Sequence, residues 1–223
     1  MRALLSSSVI VSGLYLGLVV SHHANGSALS VLFKVASIGL LIALASTAHP
    51  RRKLLIAALA SSAAGDFLLE VRQIGSLGPT RLFLAGLISF LVAHLFYVAM
   101  FVKARSLATI SAPRKIACVI VVIVAAMSMA VLWPGLAEMR IPVVAYSIVL
   151  AVMVMTAQLS RFSKLVAVGA LSFLASDTML AMSIFGHPFA GSRILVWITY
   201  YAAQLMIAVG VTTKSKGYTA TAG

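Results

Sequence analysis

Acidic residues are almost missing from this chain. Asp66, Glu70, Glu138 and Asp177 are all that occur in 223 residues. Charge of either sign is scarce as well, at 9% of residues against 62% hydrophobic, with a mean hydropathy of +1.10. Soluble domains average about a quarter charged residues, so composition excludes a soluble globular domain. The single cysteine, Cys118, excludes an intrachain disulfide and leaves the redox compartment open. The sequence contains no G-x-S-x-G, H-E-x-x-H or P-loop, which removes the common serine-hydrolase, zinc-protease and nucleotide-binding motifs. The apolar runs are continuous and do not alternate in ten-residue segments, which excludes a membrane β-barrel.

What is present is a series of long apolar runs separated by short basic segments. Eight spans are expected, near 4–20, 29–48, 54–70, 82–102, 116–133, 141–158, 165–184 and 194–212. About 20 residues of helix cross a bilayer core, and only helices satisfy their own backbone within one segment there. The expected fold is an all-α membrane protein, an eight-transmembrane-helix bundle with both termini cytoplasmic. Residues 1–213 form one polytopic domain and 214–223 a short basic cytoplasmic tail. Arg2 before an apolar stretch has the outline of a signal peptide, but "VVSHHANGSA" is not a decisive cleavage site. An uncleaved first helix is expected; cleavage would leave seven spans.

The net charge of +13 resembles a nucleic-acid signal, yet the basic residues lie between apolar runs and no nucleic-acid partner is expected. They carry topology instead. Arg2, Arg51, Arg52, Lys53, Lys103, Arg105, Arg114, Lys115, Arg161, Lys164, Lys214 and Lys216 fall on one side, and Arg72, Arg81, Arg140 and Arg193 on the other. The positive-inside rule makes the first side cytoplasmic. The expected location is a cell membrane, the inner membrane of a bacterium.

Ionisable groups inside a span are costly and are functional candidates by default. Here they are Lys34, Asp66, His94 and Asp177. At 1.5 Å per residue, Asp66 and Asp177 both lie roughly 18 Å above the cytoplasmic ends of spans three and seven. Lys34, Tyr146, Tyr200 and Tyr201 fall in the same outer half, and His94 is expected some turns deeper. Simpler roles stand beside these. Asp66 with Glu70 could snorkel to the interface, and Asp177 could form an ion pair with Lys34. His94, on the stripe Phe90, His94, Tyr97, Phe101, could be a packed hydrogen-bonding residue. Tyr200, Tyr201, Trp133 and Trp197 could be interfacial belt residues. Ser61, Ser62, Gly65, Gly169, Ser172 and Ser176 fit close helix packing. A faint internal echo separates "AAGDFLLE" from "LASDTMLA", with Asp66 and Asp177 111 residues apart. A 4+4 duplication would face spans three and seven across a common axis.

Several stretches together resemble the YhhN-type transmembrane lysoplasmalogenases. They are "LFKVAS", "AAGDFLLE", "FLAGLISFLVAHLFYVAMF", "IPVVAYSIVLAVMVMTA", "VAVGALSFLASDTMLA" and "ITYYAAQLMI", in family order over about residues 30–210. The resemblance implies hydrolysis of the vinyl ether bond of a lysoplasmalogen, a lysophospholipid in the bilayer, with no metal or organic cofactor. The products would be a fatty aldehyde and a glycerophospho-base. That chemistry needs one acid and one base, as glycoside hydrolysis does. Asp177 is assigned the acid and Asp66 the base that orients water, the reverse assignment being chemically equivalent. Lys34 would hold the phosphate or steady a carboxylate. Tyr146, Tyr200, Tyr201 and Gln204 would hydrogen-bond the glycerol or ether oxygen, with His94 among the substrate-binding residues.

Other classes fit less well. An intramembrane aspartyl protease pairs two aspartates but usually reads GxGD, where this chain has Ala63-Ala64-Gly65-Asp66. A proton-coupled transporter more often breaks its helices mid-span, and here only Pro142, near an end, lies inside a span. A retinal protein needs a lysine in the last helix, which has none before Lys214. A purely structural membrane protein is the remaining alternative.

Overall fold

The computed structural model describes residues 2–21, 27–48, 52–71, 78–105, 111–186 and 188–213. Within them lie eight helices long and apolar enough to cross a membrane. They are α1 (Arg2–Val20), α2 (Ala28–Ala48), α3 (Lys53–Val71), α4 (Pro79–Lys103), α5 (Ala112–Leu132), α6 (Arg140–Gln158), α7 (Lys164–Phe185) and α8 (Ser192–Thr212). Two 3₁₀ turns, Trp133–Gly135 and Ala137–Met139, join α5 to α6. Each helix begins and ends within four residues of its sequence-based span, because hydrocarbon thickness and basic flanks set the same limits. The tail 214–223, with Lys214 and Lys216, lies outside the described residues, as do Arg51 and Arg72.

Two helix pairs pack most extensively, α3 with α4 and α7 with α8. Small residues permit this. A Cβ on Gly65 would come within 2.6 Å of the Phe90 ring, and one on Gly169 within 3.1 Å of the Ala203 carbonyl oxygen. Lipid is as apolar as leucine, so contact of this kind, not hydrophobic exclusion, holds such pairs together. Cross-helix hydrogen bonds add to it: Ser172 donates to the Thr199 carbonyl at 2.8 Å and Ser176 to the Val196 carbonyl at 3.0 Å. Ser62 is fully buried with no hydrogen-bond partner, which fits packing alone.

The contacts nearly repeat after four helices. Shifting each label by four carries α3–α4 onto α7–α8, α2–α3 onto α6–α7, α1–α2 onto α5–α6, and α4–α6 onto α8–α2. The α1–α8 contact breaks the pattern, because α5 packs on α6 and α7 with no comparable contact to α4. Polar side chains fasten α1. Ser8 donates to the Ser37 carbonyl at 2.8 Å and shares a 2.7 Å hydrogen bond with the Tyr201 hydroxyl. Trp197 donates to the Ser12 carbonyl at 3.3 Å. Trp197 is therefore a buried packing residue and not a belt anchor. Trp133, 44% exposed, keeps the belt position, with the Arg140 guanidinium 4.9 Å from its ring.

One end of the bundle is stitched by basic residues. Arg114 donates to the carbonyls of Gln158, Ser160 and Phe162 at 3.2, 2.7 and 3.0 Å. Arg105 pairs with Ser160 in an isolated bridge, and the Arg161 amide donates to the Ala104 carbonyl at 2.8 Å. The starts of α5 and α7 and the ends of α4 and α6 therefore share one face, and those helices run as the charge count requires. With that face cytoplasmic, reporter fusions at Lys53, Lys103 and Lys164 are expected to read cytoplasmic and those at Gly78 and Gly191 external. A cytoplasmic signal at Gly191 would overturn the orientation.

Candidate active site

The polar residues of α2, α3, α7 and α8 converge on a cavity of about 330 Å³ in the half of the bundle away from the Arg114 face. Asp66 and Asp177 both line it, one from each of the two closely packed helix pairs. Asp66 is 2% exposed. The Tyr200 hydroxyl donates to its Oδ2 at 2.6 Å, and the Lys34 ammonium lies 3.4 Å from its Oδ1. Behind Tyr200 the chain of donors continues. Gln204 donates through Nε2 to the Tyr200 hydroxyl at 3.3 Å, and the Tyr97 hydroxyl donates to Gln204 Oε1 at 2.5 Å. Every bond in the series Tyr97–Gln204–Tyr200–Asp66 points toward the carboxylate, the arrangement in which hydrogen bonds reinforce one another.

Asp177 has a different setting. Its Oδ2 accepts a hydrogen bond from the Tyr146 hydroxyl, and His94 Nε2 stands 4.0 Å away. Lys34 pairs with Asp66 and Glu70, so the alternative Lys34–Asp177 ion pair is not what the structure forms. His94 is fully buried, edge-on to Tyr146 and Phe173 at centroid distances of 5.2 and 4.8 Å. Neither imidazole nitrogen has a hydrogen-bond partner of good geometry. Residue counting along a straight helix places His94 some turns below Asp177. It ignores helix tilt and side-chain length, and the two groups in fact meet.

The sequence candidates therefore divide by position. Lys34, Asp66, Tyr146, Asp177 and Tyr200 line the cavity. Gln204 and His94 stand behind it, one touching Tyr200 and the other beside Tyr146. Tyr201 turns away toward Ser8 of α1. Tyr200 and Tyr201 are both buried, so neither is a belt residue.

Glu70 has a place here that the sequence reading did not give it. It is 2% exposed and does not snorkel to the interface. It accepts from the Ser30 hydroxyl at 3.0 Å, the Tyr15 hydroxyl at 3.4 Å and Lys34 Nζ at 3.4 Å, and Arg193 Nη2 lies 4.0 Å off. The available signal was its spacing: four residues after Asp66 puts it on the same helix face. Lys34 sits between the two carboxylates, with the rings of Tyr15 and Trp197 at 5.8 and 6.0 Å. Tyr15 also brings α1, which carries no diagnostic motif, into the site.

A narrower apolar slot of about 70 Å³ adjoins the polar cavity. It runs between α4, α5, α6 and α7, and shares Asp177 and Tyr146 with the larger space. Asp177 thus stands at the junction of a charged chamber and an aliphatic one.

Paired carboxyls facing one cavity between transmembrane helices, with phenols and a lysine around them, define a polytopic membrane protein with the inventory for intramembrane acid–base chemistry. The chain matches the YhhN family over residues 29–211, and it belongs to that family. It is 34% identical over 210 residues to a protein of Mycobacterium bovis named lysoplasmalogenase, covering 89% of this chain and 78% of the relative. It is 33% identical over 136 residues to lysoplasmalogenase TMEM86B of Sus scrofa, covering 60% and 56%. It is 30% identical over 172 residues to lysoplasmalogenase TMEM86A of Bos taurus, covering 72% and 66%. No solved structure matches the chain.

The shared lysine gives a stability test. Replacing one of Asp66→Asn or Glu70→Gln leaves Lys34 its other counter-ion, so each single loss is expected to be small. The double variant strands the ammonium, and breaking a buried ion cluster costs about 3–5 kcal/mol. Melting of the purified protein is expected to show a double-variant loss well beyond the sum of the singles. Adding Lys34→Met is expected to recover most of it. Additive losses would show that Lys34 is not shared.

Proposed function

We propose that this chain is a lysoplasmalogenase that hydrolyses the vinyl ether bond of a lysophospholipid by two-carboxylate acid–base catalysis. The observation that carries the reading is the pair Asp66 and Asp177 on one cavity, each held by its own phenol but only Asp66 held by a lysine. The names of the relatives support the choice of substrate.

The different settings suggest the division of roles. Asp66, with an ammonium at 3.4 Å and a phenol at 2.6 Å, is furnished to act as a carboxylate. Asp177 has the Tyr146 hydroxyl and the buried His94, and bears the apolar slot on one side. In the proposed cycle Asp177 gives its proton to the alkene carbon distal to the ether oxygen. The alkene electrons form the new C–H bond, and the ether oxygen shares the positive charge as an oxocarbenium ion. The Asp177 carboxylate left behind stabilises that cation. Water adds to the carbon next to oxygen, and Asp66 takes the water proton. The hemiacetal then collapses. Its hydroxyl proton returns to Asp177, the carbon–oxygen bond to glycerol breaks, and Asp66 returns its proton to the glycerol oxygen. Aldehyde and alcohol leave with both carboxyls restored. Tyr146 holds the Asp177 carboxyl in place through proton donation and recovery.

Asp66→Asn and Asp177→Asn are each expected to lower vinyl ether cleavage at least about 10²–10⁴-fold, the usual scale for one general acid or base. Both are expected to insert and stay monodisperse in detergent. Full activity in either overturns the mechanism. Turnover is expected to slow in heavy water if carbon protonation limits the rate. The saturated ether analogue is expected to inhibit competitively, because it has no alkene to protonate. Hydrolysis of the corresponding ester at a comparable rate would place the two aspartates in a different reaction, base catalysis of water attack on a carbonyl.

A further inference from the structure

The slot beside Asp177 has a construction of its own. Apart from the shared Asp177 and Tyr146, its polar lining is limited to Ser128, Ser147 and Thr178 among residues such as Phe83, Leu87, Leu132 and Leu150. Helix α5 supplies one wall through Ala125, Ser128 and Leu132, a stripe at helical spacing. The other face of α5 is open to the surroundings, with Ile123 and Met127 51% and 64% exposed. The slot lies where the four-helix repeat fails. On the opposite side α1 packs against α8 and Tyr15 lines the polar chamber, whereas α5 makes no comparable contact with α4. The chamber holds Lys34, Glu70 and Arg193, and the slot holds no charge except Asp177.

We propose that the slot between α4 and α5 receives the hydrocarbon chain of the lipid substrate, with its polar head in the chamber beside Lys34 and Arg193. This rests on the reaction proposed above and adds where each half of the molecule lies. A chain on one side of Asp177 and a head on the other bring the linkage between them to that carboxyl. The enol ether is that linkage. The slot's contribution is orientation more than affinity. A chain moving from bilayer to slot passes between equally apolar surroundings and gains little from the transfer. Holding it fixes the alkene against the acid, and positioning of that kind has large effects on rate. The same geometry would present the aldehyde product to the bilayer and the glycerophospho-base to the polar mouth at Ser192 and Arg193.

The test compares Ser128→Trp, which fills the slot, with Met127→Trp on the lipid-facing side of the same helix. Two vinyl ether substrates are used, one long-chain and one whose chain ends at the alkene. Ser128→Trp is expected to lower kcat/KM for the long chain by about tenfold or more relative to the short one. Met127→Trp is expected to leave that ratio unchanged. In parallel, the saturated ether analogue with a diazirine at mid-chain is photolysed on the wild-type protein. Labelling is expected on α4 and α5 near Leu87 and Ser128, suppressed by unlabelled lysoplasmalogen and by Ser128→Trp. Labels on α1, α2 or α8 would overturn the proposal. So would slot labelling that lysoplasmalogen does not suppress, which would mark a resident bilayer lipid. Equal effects of Ser128→Trp on both substrates would overturn it as well. If wild type cleaves neither substrate, the reaction is the part that fails, while the labelling still decides what the slot holds.

Discussion

Charge inside a bilayer must be matched or removed, and the site is organised around how three carboxyls meet that demand. Asp66 and Glu70, one helical turn apart on α3, share Lys34 at 3.4 Å each, and Arg193 stands at the outer edge of Glu70. Asp177 has no lysine or arginine at ion-pair distance among the described residues. Among the described residues two cations thus stand near three carboxyls, and one proton retained within that set would make it neutral. An acid–base pair needs that condition, one carboxyl charged and one not. The surplus of acid over base in the chamber supports it, in a chain whose overall balance is the reverse.

The helix arrangement explains how those groups come together without any long-range motif. α3 and α7 occupy corresponding places in the four-helix repeat, so the residues 111 apart on them face the same space. Their neighbours correspond as well: α2 brings Lys34 to Asp66, and α6 brings Tyr146 to Asp177. The two halves then differ in chemistry, lysine against phenol, while keeping their geometry. They also differ in closure. α1 is drawn in by Ser8, Ser12 and Tyr15, and α5, with hardly a buried residue, is not. The polar chamber is accordingly lined by α1 through Tyr15, and the apolar slot by α5.

Much of this was legible in the sequence, for physical reasons. The eight helices follow from hydrocarbon thickness, which each of the eight apolar runs is long enough to cross. Lys34, Asp66 and Asp177 stand out because ionisable groups in such runs are rare. The finer pattern was not legible. Tyr200 and Tyr201 are adjacent, and only the rotational setting of α8 decides that the first meets Asp66 and the second Ser8. Glu70 lies near a helix end, where composition cannot separate a snorkelling acid from a buried one, and Tyr15 and Ser30 come from helices with no motif to mark them. Trp197 was read as a belt residue because tryptophan near a span end usually is. Its burial depends on α1 folding over it. The slot could not be read at all, since it arises from a contact that one helix fails to make.

The split between chamber and slot bears on how water is managed, which any hydrolase in a membrane must resolve. The nucleophile has to reach a carbon attached to an aliphatic chain without flooding the place where the proton is stored. Asp66 lies with Lys34, Glu70 and the hydroxyls of Tyr15 and Tyr200, the side of the cavity with groups that can hold water. Asp177 stands at the border, with the aliphatic wall behind it. A carboxyl in apolar surroundings and another in polar ones is the pattern by which two chemically identical side chains take opposite roles. Here the membrane supplies the difference. In the proposed reaction the acid, Asp177, would face the aliphatic slot and the base, Asp66, the polar chamber, and the enol ether, itself the boundary between tail and head, would lie between them.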